Sequence, residues 1–230
     1  GTGAFIVLNT GTKKIKSTNG LLTTVAYKFN SKPVYALEGS SYIAGAAVQW
    51  LRDNLGIIKS ASEVESLASK ASNESMESVM FLPFFTGIGS PFWKADAKAA
   101  IVGLSRDTSK EHIARACLEG MALSINDSIK ALVGDSPTIV NAIKVDGGAC
   151  QNNLLMQYQA NFSGNSIVRP AVIETTGYGV ALGSLVGIGE LKMEEISKLW
   201  KEDRIFDPQN DQYFSSKLRD WKTYIKKVFL

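Results

Sequence analysis

Short apolar and β-branched runs occupy the first 38 residues of the chain. They cover Ala4 to Asn9, Leu21 to Tyr27 and Val34 to Leu37, and clusters of Gly, Asn, Ser and Pro separate them. Runs of this composition between turn-forming residues are typical of strands. The pattern therefore predicts three strands in an antiparallel meander.

After residue 40 the apolar residues recur at helical spacing. Ile43, Ala47, Leu51 and Leu55 form one stripe, which predicts a helix capped by Ser40 or Ser41. The longest predicted helix runs roughly from Ser109 to Val133, and Thr108-x-x-Glu111 resembles a capping box at its start. The tail from Asp211 to Leu230 is predicted as an amphipathic helix with lysines on its outer face.

Residues 56–77 form a polar stretch in which Ser62-x-x-Glu65 also resembles a capping box. We expect no functional role there. A short helix and a flexible connection are predicted instead.

The stretch from Val145 to Asn153 reads as a strand, a glycine turn and a helix. Gly147 and Gly148 leave the main chain bare where the strand ends, and the helix that follows points its first amides at the same place. A nucleotide would fit there. A tight turn that simply needs glycine explains the pattern equally well.

Gly45 and Gln49 lie one turn apart on the first predicted helix. Glycine within a helix costs about 1 kcal/mol relative to alanine, so Gly45 requires close packing or a ligand contact. Packing of the helix on the sheet is the preferred explanation. Gln49 offers a donor and an acceptor that suit a purine or ribose edge.

Two further segments carry unusual residues. The loop from Pro83 to Trp93 holds four large aromatic residues, which must cover the protein's own core or lie against a partner lobe. The segment from Glu174 to Ser184 has glycines whose spacing does not match a dinucleotide-binding turn. We expect these small residues to let a helix pack closely on a neighbour.

Composition and charge describe a globular chain of 230 residues, 45% hydrophobic and 20% charged. The net charge of +3 is scattered, which is too weak for nucleic acid binding, and no apolar run is long enough to span a membrane. Two cysteines without a paired motif favour a reducing cytoplasm. The lone His112 is expected to be solvated or hydrogen-bonded rather than metal-bound. Because Gly1-Thr-Gly3 runs straight into a strand, we expect a piece of a longer protein.

The order of the predicted elements is three strands, a helix, an insertion, a long helix, then alternating strands and helices. This order predicts an α/β fold with a mixed β-sheet flanked by helices.

The chain also resembles a known family over its whole length. The matching segments include Gly1-Thr-Gly-Ala-Phe5, Asn19-Gly-Leu-Leu-Thr-Thr24, Gly45-Ala-Ala-Val-Gln-Trp-Leu-Arg-Asp53, Gly87-Ile-Gly-Ser-Pro-Phe-Trp93 and Val145-Asp-Gly-Gly-Ala149. They resemble the carboxyl-terminal lobe of the FGGY carbohydrate kinases, within the RNase H-like, actin-like ATPase fold. The second segment, and Gln49-Trp-Leu-Arg-Asp53 within the third, resemble the glycerol kinases in particular.

The resemblance implies roles for six residues. Thr2 would contact the nucleotide phosphates, Gly45 and Gln49 would line the adenosine pocket, and Gly148 and Asn152 would close its other side. Phe5 would pack on the carbon backbone of glycerol, although the pattern alone predicts a core strand residue.

The resemblance further implies that residues 1–230 form the nucleotide-binding lobe of a two-lobe enzyme. That enzyme would move the γ-phosphoryl group of ATP to glycerol, with Mg²⁺, in the cytoplasm and as a homo-oligomer. The catalytic base and the second phosphate-binding segment would belong to an amino-terminal lobe, so no catalytic or metal-binding residue is expected here. The chain alone is therefore predicted to be inactive. The alternatives are a kinase lobe for another polyol or sugar, a non-catalytic nucleotide-binding module, and a structural domain.

Overall fold

The computed structural model describes residues 1–229. Its first sheet contains β1 (Ala4–Gly11), β2 (Leu22–Phe29) and β3 (Lys32–Ser41), in the order β1-β3-β2 with both pairings antiparallel. The three strands are confirmed, but the predicted meander is wrong, since β3 lies in the centre. A two-residue turn at Asn30 and Ser31, with φ of 47° and 63°, joins β2 tightly to β3. The longer connection from β1 to β2 therefore crosses from one edge of the sheet to the other.

Two smaller sheets complete the strand content of the described residues. Antiparallel strands β4 (Met80–Leu82) and β5 (Ala100–Val102) form one. The other has the order β6 (Ala142–Lys144), β7 (Ser166–Pro170) and β8 (Glu202–Phe206), with β6 parallel and β8 antiparallel to β7. The α/β class with mixed strand directions is confirmed, and the strands are divided among small sheets.

Helices cover these sheets and supply most of the core. They are α1 (Gly45–Asp53), α2 (Glu63–Ala68), α3 (Lys110–Asp135), α4 (Asn153–Ser163), α5 (Thr175–Gly187), α6 (Ile196–Leu199) and α7 (Gln212–Val228). The predicted long helix is confirmed as α3, which is buried along most of its length and packs against α2, α4 and β4. Apolar burial on several sides of α3 makes it the centre of the domain.

Three predicted helix caps are wrong. Ser40 and Ser41 belong to β3, and α1 begins at Gly45 after Ala44. The long helix α3 is capped by Ser109, whose backbone N–H donates to Nδ1 of His112 at 3.0 Å. This bond confirms a hydrogen-bonded role for His112.

The third cap is the one predicted at the start of α2. Ser62 makes no side-chain cap, and Glu65 reaches across to another helix instead. The sequence has the capping-box spacing, but the Glu65 carboxylate accepts a hydrogen bond from the N–H of Leu154 instead.

A buried charged cluster fixes α7 to the core. Its Lys217 is 2% exposed and donates to the carbonyl oxygens of Met76, Glu77 and Val79. Nearby, Glu119 on α3 accepts from Arg115 at 2.8 Å and from the hydroxyl of Tyr213; these residues line the α3–α7 contact. The amphipathic helix is confirmed, but not every lysine lies on its outer face.

The aromatic loop from 83 to 93 covers the protein's own core. Phe84 is 2% exposed and its ring lies 5.7 Å from that of Trp221. Phe85 packs on Trp50 with the ring centroids 5.1 Å apart. Of the two arrangements expected for this loop, the structure therefore has the first.

Helix α5 is largely uncovered. Gly179, Gly183 and Gly187 have no neighbouring atom within 4 Å of the position a Cβ would take, so the predicted close packing at these glycines is wrong. Its apolar Val180 and neighbouring Ile188 are 67% and 73% exposed. Among the described residues, no helix is both long enough and apolar enough to cross a membrane.

Candidate functional site

A cavity of about 510 Å³ lies between α1, α2, α3 and the glycine turn after β6. Its lining is drawn from five separate regions of the chain: Gly1, Gly45, Val48, Gln49, Arg52, Ala61, Ser62, Val64, Glu65, Leu118, Met121, Gly148, Ala149, Gln151, Asn152 and Leu155. A cavity of this size suits a small organic ligand.

One wall of the cavity is a stripe of α1. Gly45, Gln49 and Arg52 follow one another at intervals of four and three residues, so they share a helix face. Seven residues of helix span about 10 Å, which gives the length of this wall. A Cβ on Gly45 would lie only 2.7 Å from the carbonyl oxygen of Gly1. The close packing expected for Gly45 is confirmed, but its neighbour is the backbone of Gly1 and not a strand of the sheet; Gly45 also lines the cavity.

The opposite wall is the glycine turn. Gly147 has φ of 78° and donates its N–H to the carbonyl oxygen of Ile173 at 2.8 Å, while Thr175 donates to the carboxylate of Asp146. These bonds fix the turn against the start of α5. A Cβ on Gly148 would meet no atom within 4 Å, so this glycine faces open space.

The start of α4 is already hydrogen-bonded within the chain. Oδ1 of Asn152 accepts from the N–H of Leu155 at 2.8 Å, and Oε1 of Glu65 accepts from the N–H of Leu154 at 3.2 Å. A short 3-10 turn, Gly148–Gln151, also separates the glycines from α4. The prediction that this helix points free amides at a ligand is therefore wrong for these two groups.

The cavity combines apolar surfaces with few charges. Val48, Val64, Leu118, Met121 and Leu155 supply an apolar lining that could hold a flat ring. Arg52 pairs with the neighbouring Asp53 at 2.6 Å, and this hydrogen bond lowers the pKa of Asp53. Glu65 is the only carboxylate in the lining.

The structure brings together four of the six residues singled out from the sequence. Gly45, Gln49, Gly148 and Asn152 all line the cavity. Thr2 lies beside it: its carbonyl oxygen accepts from the N–H of Ala44 at 2.8 Å, and its neighbour Gly1 forms part of the lining. Phe5 lies on β1, 70% exposed and outside the cavity. The core position that the pattern alone predicted for Phe5 is wrong.

The sequence missed the contribution of α2. Residues 61–65 belong to the polar segment for which no role was expected, yet Ala61, Ser62, Val64 and Glu65 line the cavity. Their only motif is the capping-box spacing of Ser62 and Glu65, which does not indicate ligand binding, and only the return of the chain after α1 brings them to the site.

The segment from Asn19 to Thr24 has a structural role. The side chain of Asn19 donates to Asp135 at 2.7 Å, and the carbonyl oxygen of Gly20 accepts from the indole of Trp93 at 2.7 Å. This segment thereby ties the first sheet to α3 and to the aromatic loop.

A shallower groove of about 480 Å³ adjoins the cavity. Ser62 and Glu65 border both, and the groove continues along Ser66, Ser69, Asn153, Gln157, Arg204 and Phe206. Within residues 1–229, no three His, Cys, Asp or Glu side chains come together in a group that could hold a metal ion.

Comparison with known proteins identifies the family to which this chain belongs. Residues 1–187 match the model of the FGGY family of carbohydrate kinases, C-terminal domain. The chain belongs to the FGGY family. Its fold is thus the actin-like ATPase lobe that the resemblance implied.

Full-length relatives of this FGGY domain are about twice as long. A glycerol kinase of Chloroflexus aurantiacus is 46% identical over 232 residues, which cover 100% of this chain and 46% of that protein. The crystal structure of Plasmodium falciparum glycerol kinase with ADP matches with a TM-score of 0.86 and 35% identity, over 100% of this chain and 46% of that one. A ligand-bound xylulose kinase of Lactobacillus acidophilus, at 24% identity and a TM-score of 0.81 over 99% of this chain and 46% of its own, shares the fold. The FGGY domain described here spans about half the length of these relatives.

Proposed function

We propose that this chain is the nucleotide-binding, carboxyl-terminal lobe of an ATP-dependent glycerol kinase. In the complete protein the reaction would transfer the γ-phosphoryl group of ATP to a hydroxyl of glycerol. The observation that carries the proposal is the cavity itself, because it collects Gly45, Gln49, Gly148 and Asn152 from two distant parts of the sequence.

The cavity has the features that a nucleoside requires. Bare main chain at Gly148 lets a ligand approach one wall, and the amide of Gln49 can hydrogen-bond the edge of a base or sugar on the other. The apolar lining covers the faces of a ring. The relatives support this choice of ligand, since the Plasmodium falciparum glycerol kinase was crystallised with ADP.

The amino-terminal half would provide what this chain lacks. Phosphoryl transfer depends mainly on positioning and charge stabilisation, which need groups on both sides of the phosphates. Thr2 and Phe5 precede and begin β1, where they could face that half, Thr2 toward the phosphates and Phe5 toward glycerol. Closure of the halves would exclude water and so suppress hydrolysis of ATP.

Mg²⁺ would enter with the nucleotide. The cavity offers one carboxylate, Glu65, and Mg²⁺ prefers several oxygen ligands, commonly including substrate phosphates. When bound, the ion would neutralise charge on the phosphates. This chain's residues would hold the nucleoside, and they would not hold the metal.

The proposal is tested by measuring binding and turnover separately. Calorimetry of residues 1–230 with ADP should detect binding, and the same chain with ATP and glycerol should show no turnover above background. Joining the native amino-terminal half should restore turnover, with glycerol preferred to xylulose and gluconate. Turnover by residues 1–230 alone, or a preference for a sugar, would contradict the proposal.

A further inference from the structure

Glu65 is a fixed carboxylate on the cavity wall. Its Oε1 accepts from the N–H of Leu154 at 3.2 Å, which holds the side chain in place. A carboxylate has two oxygens and about four lone-pair sites, so one backbone amide leaves most of its acceptor capacity unused. Among residues 1–229, no other side chain or amide hydrogen-bonds this carboxylate.

Glu65 lies at the end of the cavity away from the start of α1. Gly1 and Gly45 meet at that start. Ser62 and Glu65, in contrast, border the neighbouring groove, and the groove contains neither Gly1 nor any residue of α1. The α1 wall, from Gly45 to Arg52, is about 10 Å long.

The charge of Glu65 restricts which part of a nucleotide can lie beside it. A phosphate group next to a carboxylate is repelled, so the phosphates must lie toward Gly1. The part that faces Glu65 must then carry donors. Adenine has such a donor in its exocyclic 6-amino group, whereas guanine carries a 6-oxo acceptor at the same place.

We propose that Glu65 selects adenine over guanine nucleotides by accepting a hydrogen bond from the 6-amino group of adenine. Guanine bound in the same orientation would place its 6-oxo oxygen against the carboxylate and leave that charge unpaired, since its own donors are the N1–H and 2-amino groups. This inference rests on the proposed nucleotide-binding function and assigns the specificity of the same cavity to one residue. Leu154 orients the carboxylate and does not itself contact the base.

The test compares Glu65→Gln with Glu63→Gln in the complete protein. Glutamine keeps an oxygen for the N–H of Leu154, so the fold is retained, and its amide N–H can donate to a 6-oxo group. Glu63 is a matched control in the same helix, outside the cavity, where its carboxylate accepts from the N–H of Lys59 and from Ser60. Affinities for ADP, GDP and 2′-deoxy-ADP are measured by calorimetry, and thermal unfolding checks the fold.

Wild type and Glu63→Gln should prefer ADP to GDP by at least about tenfold, the value of one charge-assisted hydrogen bond. Glu65→Gln should bind ADP about tenfold more weakly, bind GDP more tightly and keep its melting temperature. The same weakening should appear with 2′-deoxy-ADP.

Three results would overturn the inference while leaving the nucleotide function intact: equal ADP and GDP affinities in wild type, an unchanged ADP:GDP ratio in Glu65→Gln, or an effect that disappears with 2′-deoxy-ADP. The last would assign the carboxylate to the ribose. A wild-type protein that binds neither ADP nor GDP would instead refute the proposed function.

Discussion

At the scale of single residues, Gly148 is a position where a substitution can affect ligand binding without affecting folding. Its missing Cβ faces open space, and its φ lies outside the left-handed region that only glycine favours. Gly45 differs, because a Cβ there would strike the backbone of Gly1. Two glycines in one cavity thus have different reasons for being glycine, and only Gly148 can be changed without disturbing the chain around it.

Gly148→Val should remove nucleotide binding without destabilising the protein. The branched side chain would occupy space that the ligand needs, and the surrounding atoms leave room for it. We expect a loss of at least about 100-fold in ADP affinity by calorimetry, the effect of about 3 kcal/mol, with a melting temperature within a few degrees of wild type.

The matched control is Gly183→Val on exposed α5, which also has no neighbouring atom within 4 Å. It should bind ADP as wild type does when tested in residues 1–230. Equal binding by both variants would show that the cavity is not the nucleotide site.

At the scale of elements, hydrogen bonds to Asp135 join the end of α3 to the connection between β1 and β2. Burial alone would raise the pKa of Asp135, but hydrogen bonds from Ser17, Thr18 and Asn19 outweigh it and lower this pKa to about 2. A lowered pKa in the folded state stabilises the protein above about pH 4, and this stabilisation is lost as the pH falls toward 2.

Asp135→Asn should therefore destabilise the protein at pH 7 and flatten its acid response. The amide presents a donor where the carboxylate accepted, so at least one bond from residues 17–19 is lost. We expect a loss of about 1 kcal/mol, since the site is partly solvated. Urea unfolding from pH 7 to pH 3 measures both effects.

Asp107→Asn is the control for this series. Asp107 is exposed, and among the described residues its carboxylate accepts no hydrogen bond. Its stability should follow wild type at every pH, and a similar loss in both variants would contradict the role given to Asp135.

Lys217 provides the second test of element packing. Burial lowers its pKa, yet its ammonium group donates to three carbonyl oxygens at the joint between α7 and residues 76–79. Lys217→Met keeps the volume but leaves those carbonyls without their donor, which should cost about 2–4 kcal/mol in urea unfolding. Lys226→Met, on the exposed face of the same helix, should cost less than about 0.5 kcal/mol.

The elements that could be predicted from the sequence are those with a regular apolar period. The long helix α3 and the amphipathic α7 are of this kind, as are the three strands of the first sheet. The strand β8 could not be predicted, because four of its five residues are exposed and its Glu-Asp-Arg start lacks strand character.

Tertiary partners explain the remaining errors. In the order β1-β3-β2, the connection from β1 to β2 is hydrogen-bonded to Asp135, over a hundred residues away in the sequence. Similarly, the spacing of Ser62 and Glu65 indicated a helix cap, whereas in the fold the Glu65 carboxylate accepts from the N–H of Leu154 on another helix and lines the cavity. The glycines and amides of the candidate site could be predicted from their residue types. The wall supplied by α2 could be identified only from the structure.

At the scale of the whole molecule, the uncovered face of α5 suggests where the amino-terminal half packs. Val180, Leu185 and Ile188 are 67%, 41% and 73% exposed. Several apolar side chains exposed on and beside one helix are unusual for a free surface. If the proposed function holds, the amino-terminal half is expected to cover this surface in the complete protein. Association into homo-oligomers stays a prediction.

Val180→Lys tests this arrangement. Residues 1–230 carrying the change should unfold at the wild-type temperature, because the side chain is solvated there. In the complete protein the lysine would be buried in an apolar contact, and kcat/KM for ATP should fall by about tenfold or more.

Ile139→Lys serves as the comparison, since Ile139 is 87% exposed in the connection between α3 and β6, away from α5. It should leave both measurements unchanged. Full activity of the complete Val180→Lys protein would place the amino-terminal half elsewhere.

The occupied amides at the start of α4 also bear on how firmly a ligand is held. Asn152 and Glu65 already satisfy two of the donors that a helix end would otherwise offer to an anion. A nucleotide bound in this lobe would thus be held mainly through its base and ribose. Its phosphates would extend toward the amino-terminal half. Under the proposed function, reopening of the two halves would remove the contacts to the phosphates and so weaken the binding of the spent nucleotide.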